Sequence, residues 1–177
     1  MHNEYTIEVD QQEKRGWTLL FPENLQVLDP AHLPTKKRTR TVKLNVERTH
    51  LPTADYRLKE APRGVLIERK GSLQEVATNC LTTVGRRRFA AECQRLRAEC
   101  DAPFVLLEGS HPDLLRPTSF NKTPELALDA LLRLLWEWGI QMLVLPRNTE
   151  PQRRALGVWV AHLLITGDVA HAAPQIH

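Results

Sequence analysis

The chain has 177 residues, 42% hydrophobic and 25% charged, with a formal net charge of +3. That length holds one domain with a sizeable core and is short for two, and the composition argues against both a disordered and a membrane-embedded chain. No apolar run reaches the roughly 18 residues that span a bilayer, and Met1 to Lys14 is too polar and acidic for a signal or transit peptide, so an intracellular protein is expected.

In chain order, Thr6 to Val9 reads as a short strand that delivers Asp10 to its end, with Glu13 three residues on. Gly16 to Asn24 reads as a loop anchored by Trp17 and Phe21, and Leu28 to Arg40, broken by Pro30 and Pro34, as an exposed and mobile segment. From Lys36 to Arg48 the chain carries Lys36, Lys37, Arg38, Arg40, Lys43 and Arg48 against Glu47 alone. By itself this is a solvated basic loop; beside a site that cuts phosphodiesters it becomes a candidate DNA-binding patch, since basic clusters neutralise phosphates. Thr41 to Val46 alternates as a half-buried strand, with Val42, Leu44 and Val46 on one face.

The stretch Asp55-Tyr56-Arg57-Leu58, a turn at Lys59 to Gly64, and Val65-Leu66-Ile67-Glu68-Arg69-Lys70 read as a hairpin. Alternation puts Leu66, Glu68 and Lys70 on one face and Val65, Ile67 and Arg69 on the other. A carboxylate and an ammonium two residues apart, with a second acid across the hairpin, suit a site that holds a hard divalent cation and a reacting phosphate. The spacing Asp-x12-Glu-x-Lys has the form found in PD-(D/E)xK nucleases.

Ser72-Leu73-Gln74-Glu75 matches the capping box, starting a helix whose buried stripe runs through Val76, Cys80 and Val84. Gly85 interrupts it, and Arg86-Arg87-Arg88-Phe89 opens a second helix with Phe89, Cys93, Leu96 and Cys100 inward. Arginines at a helix start oppose the macrodipole, which suggests a bound anion. The three cysteines, Cys80, Cys93 and Cys100, lack C-x2-C spacing and read as reduced core residues. Phe104 to Gly109 reads as a central strand ending at Glu108. Thr123-Pro124-Glu125 starts a leucine-rich helix that Gly139 stops; its apolar residues cover most of its circumference, so it is buried or lies at an interface. Ile140 to Leu145 is another strand, and Thr149 caps a last helix through Trp159 to Leu164. The expectation is one domain over residues 1–167, a loose tail over 168–177, and an α/β sandwich with a mixed central sheet flanked by helices.

These residues resemble the XPF-type nucleases, named for the xeroderma pigmentosum group F protein. The family pattern V-D-x-x-E, L-x-x-G-D-Y, I-E-R-K-x-x-x-D, G-R-x before a helix, and a strand ending in Glu appears here as Val9-Asp10-Gln11-Gln12-Glu13, Leu51 to Tyr56, Ile67-Glu68-Arg69-Lys70, Gly85 to Phe89, and Val105 to Glu108. The pieces agree in order and approximate spacing over about residues 5 to 165. Two positions depart from it. Ala54 stands for the glycine, which disfavours a positive φ there, and Gln74 stands for the closing Asp. Glu75 lies next to it but points about 100° away and already has a capping role.

The resemblance implies a three-layer restriction-endonuclease-like fold and a Mg2+- or Mn2+-dependent endonuclease acting on branched, flap or junction DNA. Its implied metal ligands are Asp55 and Glu68. Lys70 would orient or deprotonate the attacking water, or stabilise charge on the transition state. Asp10 and Glu13 would join the acidic cluster, with Arg69, Gln74 and Glu108 in support. Lys36, Lys37, Arg38, Arg40, Arg86, Arg87 and Arg88 would hold DNA. A homodimer through the Leu126 to Trp138 helix is a further expectation. The resemblance to stand-alone nucleases of phages and mobile elements points to the cytoplasm of a bacterial or phage-infected cell rather than a nucleus. Two alternatives stay open: a non-catalytic DNA-binding or scaffolding subunit, which Gln74 favours, and a restriction-type endonuclease, for whose recognition elements 177 residues leave little room.

Overall fold

A computed structural model describes residues 2–13, 19–29, 39–119, 121–146 and 149–172. Lys36, Lys37, Arg38 and Trp17, as well as residues 173–177 of the expected tail, lie outside them. The described residues form strands β1 (Glu4–Asp10), β2 (Asn24–Leu28), β3 (Thr39–Thr49), β4 (Tyr56–Leu58), β5 (Val65–Lys70), β6 (Ala102–Glu108) and β7 (Gln141–Leu145). Helices α1 (Leu73–Leu81), α2 (Thr83–Glu99), α3 (His111–Leu114), α4 (Pro124–Trp138) and α5 (Glu150–Ala172) complete the fold.

The strands form one sheet in the order β2-β3-β1-β4-β5-β6-β7. β3 is parallel to β1, and β5, β6 and β7 are parallel to one another. β2 runs antiparallel to β3, and β4 antiparallel to both β1 and β5. Because β1 and β5 both oppose β4, they run the same way, and β1, β3, β5, β6 and β7 end at one edge of the sheet. That edge carries Asp10, Lys70 and Glu108.

The sheet is buried on both faces over its centre. Ile7, Tyr56, Ile67 and Leu106 pack on α5 through Leu156, Val160 and Leu164. Leu66, Val105 and Leu107 face the opposite way, against Val76, Phe89 and Leu131 of α1, α2 and α4. Each such side chain contributes about 1.5–3 kcal/mol when fully buried. The result is the expected three layers, with the alternation of β5 as read from its sequence.

Several elements differ from expectation. β2 was not foreseen; it is an edge strand with Leu25 and Val27 inward. Val46 is 51% exposed, although Val42 and Leu44 on its face are buried. The break between α1 and α2 falls at Thr82 rather than Gly85: the Thr82 hydroxyl accepts a hydrogen bond from the Gly85 amide at 3.1 Å and caps α2. Val84 is therefore 81% exposed instead of buried. Gly85 sits in the first turn of α2 because an added Cβ would lie 2.1 Å from the Thr78 carbonyl oxygen of α1. The last helix continues past Gly167 to Ala172, held where the Tyr5 hydroxyl donates to Asp168 at 3.1 Å. The cysteines are free and buried, as expected.

Candidate active site

The hairpin that carries Asp55 is set by two backbone bonds: the Asp55 amide donates to Ile67 O and the Asp10 amide to Asp55 O, both at 2.9 Å. Ala54, just before it, takes φ 71°, so alanine occupies the left-handed region that its side chain disfavours. The Asp55 carboxylate then accepts the Arg69 amide at 2.6 Å. Asp10, at the end of β1, is buried and accepts the Leu51 amide at 3.3 Å, with His50 Nδ1 4.0 Å away. Around these residues lies a cavity of about 440 Å³ lined by Asp10, Gln12, Glu13, Asp55, Glu68, Arg69, Gly71, Ser72 and Glu75.

β5 divides the charges between its two faces. On one face Lys70 Nζ lies 2.7 Å from Glu68, 3.0 Å from Glu92 and 3.9 Å from Glu75, and 4.9 Å from the centroid of the Phe89 ring. On the other, Arg69 pairs with Glu13 at 2.5 Å and with both carboxylate oxygens of Glu108. Arg69, expected in a supporting role, is held between these two acids with its side chain 9% exposed, and Glu13 also accepts from the Tyr56 hydroxyl at 3.4 Å.

Burial dominates the electrostatics. It pushes the Asp55 carboxyl up to about 7, with Glu13 adding repulsion and the Arg69 amide opposing. Burial likewise carries Glu68 well above the ordinary carboxylate range, helped by the neighbouring Glu92 and by the charge of Asp55. Glu108 rises to about 7 by burial, against the pull of Arg69. Burial opposes the charge on Lys70, but Glu68 and Glu92 outweigh it and hold the ammonium above its ordinary value. Burial also acts to raise Glu92; its contacts with Glu68 and Lys70 prevail and lower it.

Among the described residues no three acidic, histidine or cysteine side chains converge as a ready metal cage. Asp55 and Glu68 nevertheless suit a hard divalent cation. They are two mutually repelling carboxylates on one cavity, Glu68 buried and Asp55 half-buried, and magnesium commonly takes only one or two from a protein.

The sequence candidates do not all meet here. Asp10, Glu13, Asp55, Glu68 and Arg69 line the cavity, Lys70 lies beside Glu68, and Glu108 joins through Arg69. Gln74 is exposed on α1 and does not line it, whereas Glu75 does. Glu75 accepts the Gly71 amide at 3.1 Å, while Ser72 accepts the Glu75 amide at 3.1 Å, so the back-bond of the capping box reaches one residue further than expected. Arg40 lies at the start of β3, far from the acidic edge, where it donates to Asn3 at 3.5 Å; from there to Thr49, beside Asp10, the strand spans roughly 30 Å at about 3.3 Å per residue. Arg86 and Arg87 border a separate hollow of about 660 Å³ between α1, α2 and α4, and Arg88 donates to Asn79 at 3.2 Å. Glu92 was not foreseen; an acid one turn after Phe89, at the border of a buried stripe, is the only sequence signal it leaves.

The model of the ERCC4 domain matches residues 22–149. The chain belongs to the ERCC4 domain family. The resemblance to the XPF-type family read from the motifs is thus borne out at the level of the family, and the mixed sheet between helical layers is the restriction-endonuclease-like fold expected. Two solved structures share that fold. XPF from Aeropyrum pernix in complex with DNA is 16% identical, with a TM-score of 0.59, covering 97% of this chain and 68% of that one. XPF from Aeropyrum pernix in a second structure is 17% identical, with a TM-score of 0.59, covering 97% of this chain and 66% of that one. This ERCC4 domain thus spans about two thirds of the length of either. No curated protein matches it in sequence.

Proposed function

We propose that this ERCC4 domain is a divalent-metal-dependent DNA endonuclease selecting branched, flap or junction DNA, as in repair, recombination or phage DNA processing. The observation that carries this reading is the pair of half-buried Asp55 and buried Glu68 opening on one cavity, with the Lys70 ammonium 2.7 Å from Glu68. Asp55 and Glu68 would hold Mg2+ or Mn2+. Such a cation would polarise a phosphate and make water nucleophilic at neutral pH.

The chain's own groups take the remaining roles. Lys70 stays an ammonium, since its carboxylates hold it above lysine's ordinary value; this favours stabilising the charge that develops on the phosphoryl oxygens over taking a proton from water. Arg69, held by Glu13 and Glu108, offers its amide to Asp55 and fixes that carboxylate toward the cavity. Asp10 and Glu13 add acidity to the same wall. Lys36, Lys37, Arg38, Arg40 and Arg86 to Arg88 are proposed to hold DNA; the XPF structure in complex with DNA supports DNA as partner. Dimerisation belongs to the same reading, since Leu126, Leu132 and Trp136 of α4 are exposed.

The test is cleavage of flap, splayed and four-way DNA with Mg2+ or Mn2+. Wild type is expected to cut at least one form, and Asp55→Ala and Glu68→Gln to abolish cutting while DNA binding persists. The rival, a non-catalytic DNA-binding subunit, draws support from Gln74 lying outside the cavity. It prevails if neither metal supports cutting of any form.

A further inference from the structure

Of its three acidic neighbours, Lys70 has two within hydrogen-bond distance, and these are of different origin; Glu75 lies further off at 3.9 Å. Glu68 lies two residues before it on the same strand, whereas Glu92 comes from α2, across the layer. The two acids are not equivalent once the site is in use. Glu68 faces the cavity and Glu92 does not line it, so a cation held by Asp55 and Glu68 competes with Lys70 for Glu68 only. Glu92 then remains, 3.0 Å from Nζ, together with the Phe89 ring 4.9 Å from it. Phe89 and Glu92 stand one helical turn apart on α2, the spacing that places two side chains on one face.

We propose that Glu92 is a positioning residue that fixes the Lys70 ammonium independently of Glu68, with the Phe89 ring as the second side of the cradle. This rests on the nuclease reading above. An ammonium on a flexible four-carbon stem has no preferred position without such an anchor. Lys70 is 5% exposed, so the cradle also spares it a search among rotamers at each turnover.

The experiment compares wild type, Glu92→Gln and Glu92→Asp in two measurements. In the metal-free protein, with Glu68→Gln added to each of the three so that the other close carboxylate on Lys70 is removed, NMR order parameters of the Lys70 side-chain methylenes report its mobility. With Mn2+ and the DNA form that wild type cuts, kcat and KM are measured separately. Glu92→Gln is expected to lower the Lys70 order parameters and to reduce kcat about 10- to 100-fold at unchanged KM. Glu92→Asp, which restores the charge, should recover part of both. Unchanged Lys70 order in Glu92→Gln overturns the proposal, as does loss of order with unchanged kcat. If wild type cuts no DNA, the nuclease reading falls while the order parameters still decide whether Glu92 holds Lys70. Glu92→Gln keeps the side chain's shape, and a melting curve matching wild type separates positioning from loss of fold.

Discussion

Asp55 is a carboxyl whose burial outweighs its hydrogen bond, and the sign of its effect on stability follows. Its ordinary value is 3.8 and its folded value about 7, so between those limits the folded chain binds more protons than the unfolded one. Stability of the metal-free protein should therefore fall as pH rises from about 4 to about 7 and level off above. The shift corresponds to at most about 4 kcal/mol. Glu108 acts in the same direction. Denaturant titrations at pH 5 and pH 8 measure the difference, and Asp55→Asn should shrink it and be the more stable protein at pH 8. An Asn variant with an unchanged slope would assign the slope to other groups. Next to it, Ala54 holds φ 71°, which costs an alanine about 1–2 kcal/mol. Its buried methyl returns about 0.8 kcal/mol. Glycine's extra backbone entropy offsets part of the relief. Ala54→Gly is thus expected to leave stability within about 1 kcal/mol of wild type, where an ordinary buried truncation would destabilise; a larger loss in the same titrations would show that packing governs this position.

At the scale of elements, α1 and α2 meet at a contact that admits no side chain. Gly85→Ala would place Cβ 2.1 Å from a backbone oxygen of α1. Overpacking of that kind costs about 1–3 kcal/mol, and the better helix propensity of alanine recovers only part of it. A melting temperature lowered by several degrees is expected; an unchanged one would show that the helices part easily. The same junction shows what was legible beforehand. β5 and the start of α1 were readable because strict alternation and Ser72-x-x-Glu75 are local signals. The limits of α4 were too, through Pro124 and the Gly139 stop at φ 61°. Gly85 read as a helix breaker because glycine usually is one, but here its small size matters and the Thr82 side chain makes the break. β2 hid because five residues with two inward positions resemble a polar loop. Asp55, Glu68 and Lys70 were legible from spacing. Glu92 was not, because an acid on an amphipathic helix looks solvated until a lysine 22 residues away in sequence is seen beneath it.

Across the whole molecule, the acids of the cavity come from two halves of the sheet. Asp10 ends β1 and Glu13 follows it, in the β2-β3-β1 half, whereas Glu68 belongs to the β5-β6-β7 half, as does Glu108, which joins through Arg69. The ladder between the halves is β4, three residues long, pairing with β1 at Ile7, Glu8 and Val9 and with β5 at Leu66 and Ile67. Ladders of five to seven register pairs hold each half internally. A seam with so few rungs is where a sheet opens first, with a smaller free energy than global unfolding. Amide hydrogens of β4 should therefore exchange with solvent faster than those of β1 and β6, and equal protection of all three would show that α5 binds the halves into one cooperative unit. Each opening of that seam parts Glu13 from Arg69, so the proposed nuclease centre is expected to have a lifetime of its own. On heating, cleavage should fade while the helical signal is still intact, because the site dissolves at its seam before the domain melts.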